Sequence, residues 1–320
     1  MEKLIVSSSP HLRSGITTRK IMLDVIIALV PAAIASVVIF GPRTLFIIAV
    51  CVASCVLSEF VSRKVMKREN TIGDLSAVVT GILLAFNLPV SINPFMAAFG
   101  GVVAIVVVKQ MFGGIGQNFV NPALTARIVL MSSFPSDMST WYKPFYYMES
   151  SSDALTTASP LGILKEGTEA ALPSYLDLFL GNNAGCLGET CALALLLGGI
   201  YLVARRVIHP AVPLSFLATA AVISVLTGRD VLTDLLTGGL LLGAIFMATD
   251  YTTTPITLKG RIIFAVGCGI ITMLIRIFGA LPEGVSFSII LMNILVPYID
   301  RLSRPKPFGN RKAGKGGAEG

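Results

Sequence analysis

Ten apolar stretches follow one another along this chain and leave it few ways to fold: Ile21–Phe40, Leu45–Val61, Leu75–Leu88, Phe95–Met111, Phe119–Phe134, Cys191–Val203, Ala211–Leu226, Val231–Met247, Ile262–Ile277 and Val285–Ile299. A bilayer is the solvent such runs suit. About 20 helical residues cross its hydrocarbon core, and a helix satisfies its own backbone groups there. Charge content agrees: 13% of the 320 residues are Asp, Glu, Lys or Arg, and mean hydropathy is +0.79, whereas soluble domains carry about 25% charged residues. The expectation is an all-α polytopic membrane protein with about ten transmembrane helices. Several runs are shorter than a straight crossing requires and are interrupted by Gly and Pro. That predicts broken or re-entrant helices around a protein-enclosed site.

The net charge of +7 and isoelectric point near 9.3 do not indicate nucleic acid, because the basic residues gather at the ends of apolar runs. One set of alternate connections holds Lys3, Arg13, Arg19 and Lys20, then Arg63, Lys64, Lys67 and Arg68, then Arg205 and Arg206, then Lys259 and Arg261, and the basic C-terminal tail. The other set holds little beyond Arg43, Lys143, Lys165, Arg229 and Arg276. The positive-inside rule therefore puts both termini in the cytoplasm. The first run is longer than the roughly 7–15 residues of a signal-peptide core, so it reads as a first span. The divisions expected are a cytoplasmic tail (1–20), a first membrane half (21–134), an external interval (135–190), a second membrane half (191–300) and a flexible cytoplasmic tail (301–320).

The two halves share faint similarities. Val79-Thr80-Gly81-Ile82-Leu83-Leu84 matches Leu236-Thr237-Gly238-Gly239-Leu240-Leu241, and Phe112-Gly113 matches Phe278-Gly279. With about five spans each, the halves would insert in opposite senses, which places a binding site near the midplane between them.

Few residues here are able to carry chemistry. Arg127 sits inside an apolar run, where an arginine costs at least about 2.5–3.5 kcal/mol, so it calls for an interior partner, either a carboxylate or the phosphate or ring oxygen of a bound flavin that it would anchor. Asp24, Glu59, Asp250 and Glu283 are the acids in or beside the runs, and they are the candidates both for that partner and for an ion path. Asp24 follows Lys20 by four residues, a helix-pair spacing. Glu283 stands before a helix start, where the dipole favours an acid. The segment from Gly113 to Pro122 (GGIGQNFVNP) lets backbone approach a ligand closely, with Asn118 and Asn121 as its side-chain contacts. Cys51, Cys55, Cys186, Cys191 and Cys268 have no metal-ligand spacing, and Cys186 and Cys191 lie close enough to suggest a disulfide. Serine-triad, zinc, Walker and NAD fingerprints are not found.

The polar interval contains Asp153-Ala154-Leu155-Thr156-Thr157-Ala158-Ser159-Pro160-Leu161. It has the form D-x-x-[ST]-x-A-[TS] and resembles a flavin-attachment box, in which a transferase esterifies the final hydroxyl with the phosphate of FMN. Ser159 is then the acceptor, Asp153 and Thr156 are recognition positions, and Thr156 and Thr157 compete as acceptors. An ordinary polar loop is the alternative.

Pro31-Ala32, GGIGQNFVNPALTAR (113–127), the box, MATDYTTTPIT (247–257) and EGVSFSIILMNILVPYID (283–300) together resemble one family. That family contains RnfD, from the Rnf ion-translocating ferredoxin:NAD oxidoreductase complex, and NqrB, from the sodium-pumping NADH:quinone reductase. The resemblance runs from about Ser9 to Pro307. It departs at Thr157, where the family's box carries glycine.

The resemblance implies a two-repeat fold like that of urea and ammonium channels. It also implies a covalent FMN facing outward, with room for a second, non-covalent flavin (riboflavin or FMN). The chain would work as an electron relay in the cytoplasmic membrane with the other Rnf subunits, RnfA, RnfB, RnfC, RnfE and RnfG, matured by a flavin transferase. Electrons would run from reduced ferredoxin to NAD and drive Na+ or H+ outward. A passive solute channel and a redox scaffold are the rival classes. The orientation has a direct check. Cysteines introduced between Arg63 and Arg68 should be shielded from a membrane-impermeant thiol reagent in intact cells and react after permeabilisation.

Overall fold

Side-chain caps and glycine stops cut the apolar runs into helices of very unequal length. The computed structural model describes residues 17–148, 156–166, 172–280 and 282–305. Asp153 lies outside the described residues. Helix α1 (Thr18–Phe40) starts where the Thr17 hydroxyl accepts from Lys20 N, and stops at Gly41, whose φ of 78° suits glycine. Then come α2 (Arg43–Val65), α3 (Ser76–Phe86), α4 (Pro94–Val102, running on as a π-helix over Val103–Gln110), α5 (Pro122–Ser133) and α6 (Pro135–Met138). Asn93 and Asn121 cap α4 and α5, each with proline in the first turn.

A two-residue antiparallel pair, β1 (Trp141–Tyr142) with β2 (Thr156–Thr157), precedes α7 (Pro160–Glu166) and α8 (Tyr175–Leu180). The remainder is α9 (Ala192–Ala204), α10 (Ala211–Leu226), α11 (Val231–Leu236), α12 (Leu240–Leu242, continued as a π-helix over Gly243–Met247), α13 (Leu258–Phe278) and α14 (Val285–Ser303).

The protein is mostly helical. Among the described residues, four helices are long and apolar enough to cross a membrane: Thr18–Phe40, Arg43–Val65, Leu258–Phe278 and Val285–Ser303. The other apolar runs form shorter helices. One stops at Asn87, ahead of Pro89. Another is cut at Thr237-Gly238-Gly239, where both glycines have positive φ. Ile34, Leu57, Leu214 and Val225 stand exposed on their helices, as residues facing lipid do.

Hydrogen bonds define two ends. At one, Arg68 donates to Gln110 O, Asn118 to Thr252 Oγ1, Thr257 to Ser303 Oγ, and Asp24 pairs with Arg205. At the opposite end, Arg43 donates to Ser91 O, Phe145 N to Ile39 O and Tyr147 to Val38 O. From that second end the segment after α8 turns into the core. Leu187 N and Gly188 N donate to Leu88 O and Phe86 O at 3.0 Å, and Ala184 to Thr190 are all buried. Only glycine fits at 188, since a Cβ would lie 2.2 Å from Phe86.

Near the first end, Glu59 is fully buried. It accepts from Lys109 at 3.0 and 3.1 Å, from Gln110 at 3.0 Å and from the Thr71 hydroxyl at 2.8 Å. The π-helix adds a residue to each turn and so delivers both Lys109 and Gln110 to the same acid. Removing one partner of such a pair strands the other charge, at about 3–5 kcal/mol. Lys109→Met should therefore lower the melting temperature of the purified protein, and Glu59→Leu with Lys109→Met should recover much of the loss.

Candidate functional site

Three chain breaks meet in the interior: the end of α3, the buried segment after α8, and the start of α14. Arg127, on the inward face of α5 and 4% exposed, joins them. It pairs with Glu283 and donates to Asn87 Oδ1 (2.9 Å), Ser286 Oγ (3.2 Å) and Cys186 Sγ (3.5 Å). The interior partner expected of Arg127 is thus Glu283, and all of these donors go to protein atoms. Glu283 precedes the α14 cap, Gly284, and turns to Arg127. Cys186 donates to Asn87 O at 3.4 Å and is a free thiol, as is Cys191. The suggested disulfide is therefore not formed, because Cys186 is held by Arg127 and Asn87.

The other acids separate. Asp24 accepts from Tyr201 at 2.9 Å and pairs with Arg205 at 3.4 Å, in place of the local partner Lys20 read from spacing. The α1–α9 packing sets that choice. Asp250 folds back on its own turn, accepting from Thr252 N, Thr252 Oγ1 and Thr253 Oγ1. Asn118 and Asn121 lie with Asp250 along a crevice at the first end, bordered by Lys109, Thr80 and Thr252. Asn121 caps α5 by accepting from Ala123 N and Leu124 N.

Of the box, residues 156–159 are described, and they lie at the second end. Thr156 and Thr157 are exposed on β2, opposite Tyr142 and Trp141. Ser159 is half-buried, and its hydroxyl accepts from Gly162 N at 3.2 Å at the start of α7. Beneath it a small cavity is bounded by Ser159, Asn183, Glu189, Thr237, Gly238 and Glu283. The structure thus brings Ser159, Glu283 and Arg127 into one column and leaves Asn118, Asn121 and Asp250 at the other end.

Sequence reasoning missed Glu189 and Lys109. Glu189 is 7% exposed and lies in the connection ahead of α9. The Glu283 carboxylate and the Cys186 thiol lie beside it, their ligand atoms within 4.8 Å of its own. Its position in Gly-Glu-Thr before an apolar run reads as an outer loop. Lys109 inside the run Phe95–Met111 was the available signal for the buried pair with Glu59.

A model of the NQR2, RnfD, RnfE family matches residues 5–309. The chain is 49% identical to the D subunit of the Na+-translocating ferredoxin:NAD+ oxidoreductase complex of Acetobacterium woodii, over 98% of this chain and 97% of that protein. It is 42% identical to the D subunit of the proton-translocating ferredoxin:NAD+ oxidoreductase complex of Clostridium ljungdahlii, over 96% of each. The D subunit of the ion-translocating oxidoreductase complex of Escherichia coli is 34% identical, over 96% of this chain and 99% of that one.

Arg127→Ala would leave Glu283 without its cation and Asn87 without its donor. It should lower the yield of assembled protein several-fold relative to Arg301→Ala at an exposed position. Size-exclusion chromatography of the two variants checks this.

Proposed function

The chain belongs to the NQR2, RnfD, RnfE family, and from that premise we propose that it is the RnfD component of an Rnf-type complex. In that role it is a multi-pass electron relay in an assembly that couples ferredoxin oxidation and NAD reduction to outward movement of Na+ or H+. The observation that carries this is near-full-length identity to two D subunits named for that reaction. Its partners are then the other Rnf subunits, RnfA, RnfB, RnfC, RnfE and RnfG. The end bearing Arg63 to Arg68, Arg205 and Arg206 is cytoplasmic by its charge, and Ser159 faces outward.

The proposal includes a covalent FMN on Ser159, attached through its phosphate by a flavin transferase. The residues present fit it. Ser159 is reachable at the start of α7, and its oxygen accepts from Gly162 N, leaving its own O–H available for exchange. Bound FMN supplies transfer of one or two electrons. This chain supplies the mounting: the β1–β2 pair holds the box at the surface, and Pro160 starts α7 so that Ser159 sits above the Glu189–Glu283 cavity. The crevice holding Asn118, Asn121 and Thr252, with its apolar walls, is the place for a second, non-covalent flavin.

The full count of about ten spans in two inverted repeats belongs to the same proposal. It is supported by α1 packing on α9, α5 on α14, α2 on α4 and α10 on α13, the pairs that two related halves would form. A urea-channel-like solute channel is less well supported. The Arg127–Glu283 pair and the Gly188–Phe86 contact occupy the interior between the helices, leaving less room for such a pore.

Flavin fluorescence of the denatured chain in a gel tests the attachment. Ser159→Ala should abolish it and leave expression unchanged, since a loop hydroxyl contributes little to stability, and Ser159→Thr should retain it. Peptide mass spectrometry placing FMN on Thr156 or Thr157 would move the site.

A further inference from the structure

Glu189 has a vacancy in its hydrogen bonding. Its Oε1 accepts from Cys186 N at 3.0 Å, whereas its Oε2 is buried with no partner. A buried carboxylate oxygen without a donor is costly, and native interiors rarely tolerate one. The space around this oxygen is kept open by Gly239, whose φ is +59° and whose added Cβ would lie 3.0 Å from Oε2. Glu189, Glu283 and Cys186 place their ligand atoms within 4.8 Å of one another.

The charged groups facing Oε2 do not complete it. Arg127 pairs with Glu283. Arg276 lies behind the Thr237–Gly238 backbone and donates to the carbonyls of Asp234, Thr237 and Gly238. Arg229 pairs with Asp234. The Cys186 thiol faces Asn87 and Arg127. What remains beside Glu189 is a cavity with about 10 Å³ of room for the centre of a water-sized particle. Its walls carry the oxygens and amide of Ser159, Asn183, Thr237 and Glu283. That is room for one particle the size of a water molecule or a small monovalent ion, and too small for an organic ligand.

We propose that Glu189 Oε2, with Glu283 beside it, binds a single monovalent cation, Na+ or H+, in the niche beneath Ser159. Arg127, paired with Glu283, and Arg276, behind the Thr237–Gly238 backbone, put two cations beside the niche and so disfavour a divalent metal. The site deepens the ion-translocation reading and rests on it for its physiological meaning, placing a carboxylate that holds the moved ion directly below the proposed electron carrier. The shared chemistry, a monocation on a carboxylate, suits either of the ions named for the two relatives.

Purified full-length protein, titrated with NaCl against choline chloride at pH 6 and pH 8, decides the matter through its melting temperature and ²²Na+ retention. If the ion is Na+, wild-type protein should show a saturable stabilisation that weakens at least tenfold in apparent affinity at pH 6. Glu189→Gln should lose it, while Glu69→Gln, at an exposed position, should keep it. If the ion is H+, Na+ has no effect, and a protonated-carboxyl infrared band present in wild type at pH 6 should vanish in Glu189→Gln. Should Glu189→Gln fail to assemble, Glu189→Asp withdraws the charge by one methylene and should shift the Na+ affinity or the band.

Identical behaviour of wild type and both Glu189 variants would mean that water alone fills the niche, and would overturn the proposal. Ferredoxin:NAD reduction by the complex containing wild-type chain is measured in parallel. Its absence would count against the Rnf reading whatever the ion titration gives, and its presence with a silent titration would count against the ion site alone.

Discussion

An arginine in a membrane interior must be neutralised by the fold around it, and here Arg127 decides what the breaks in the short helices are for. Its guanidinium holds Glu283 ahead of α14, Asn87 at the end of α3, Cys186 in the segment after α8 and Ser286 in the first turn of α14. Each group belongs to a place where the regular backbone stops. A continuous helix offers such an arginine only side chains at fixed spacing. Broken helices offer helix ends, which is why irregular backbone at depth survives only inside protein.

Two further buried ionic clusters lie toward the ends of the molecule. At one, Glu59 with Lys109 and Gln110 stands beside Ser76, the first residue of α3, to which Lys109 also donates at 2.6 Å. At the other, Asp234 with Arg229 and Ser224 stands beside Arg276, which holds the carbonyls just before α12. In both, a cation from the longer neighbouring helix secures the start of a short one. The polar groups thus organise the apolar protein. In lipid there is little hydrophobic force between helices, so hydrogen bonds and close packing at glycines such as Gly188 set their arrangement.

The column from Ser159 through the Glu189–Glu283 cavity to Arg127 runs from the second end into the interior. Asn118 and Asn121, which the sequence groups with Arg127 on one stretch, instead face the opposite end, because α5 carries Arg127 about one and a half turns away from its cap. One helix therefore serves two separate polar regions, one at its capped start and one along its buried face.

By itself the sequence determined the solvent and the class of fold. Apolar runs this numerous, with so few charges between them, suit helices in a bilayer. Arg127 also declared from sequence alone that it needed an interior partner, a carboxylate or a cofactor oxygen, since an unpaired guanidinium cannot remain there. Which acid it found was a tertiary matter. Asp24, Glu59, Asp250 and Glu283 look alike in the chain, yet three are engaged by Arg205, Lys109 and a local turn. Only Glu283 is carried to Arg127, by the loop between α13 and α14. Glu189 was invisible for the same reason: it reads as part of an outer loop until the packing of Gly188 on Phe86 draws it into the core. Burial, which turns an ordinary carboxylate into one that needs a partner, is a property of the fold and not of the local sequence.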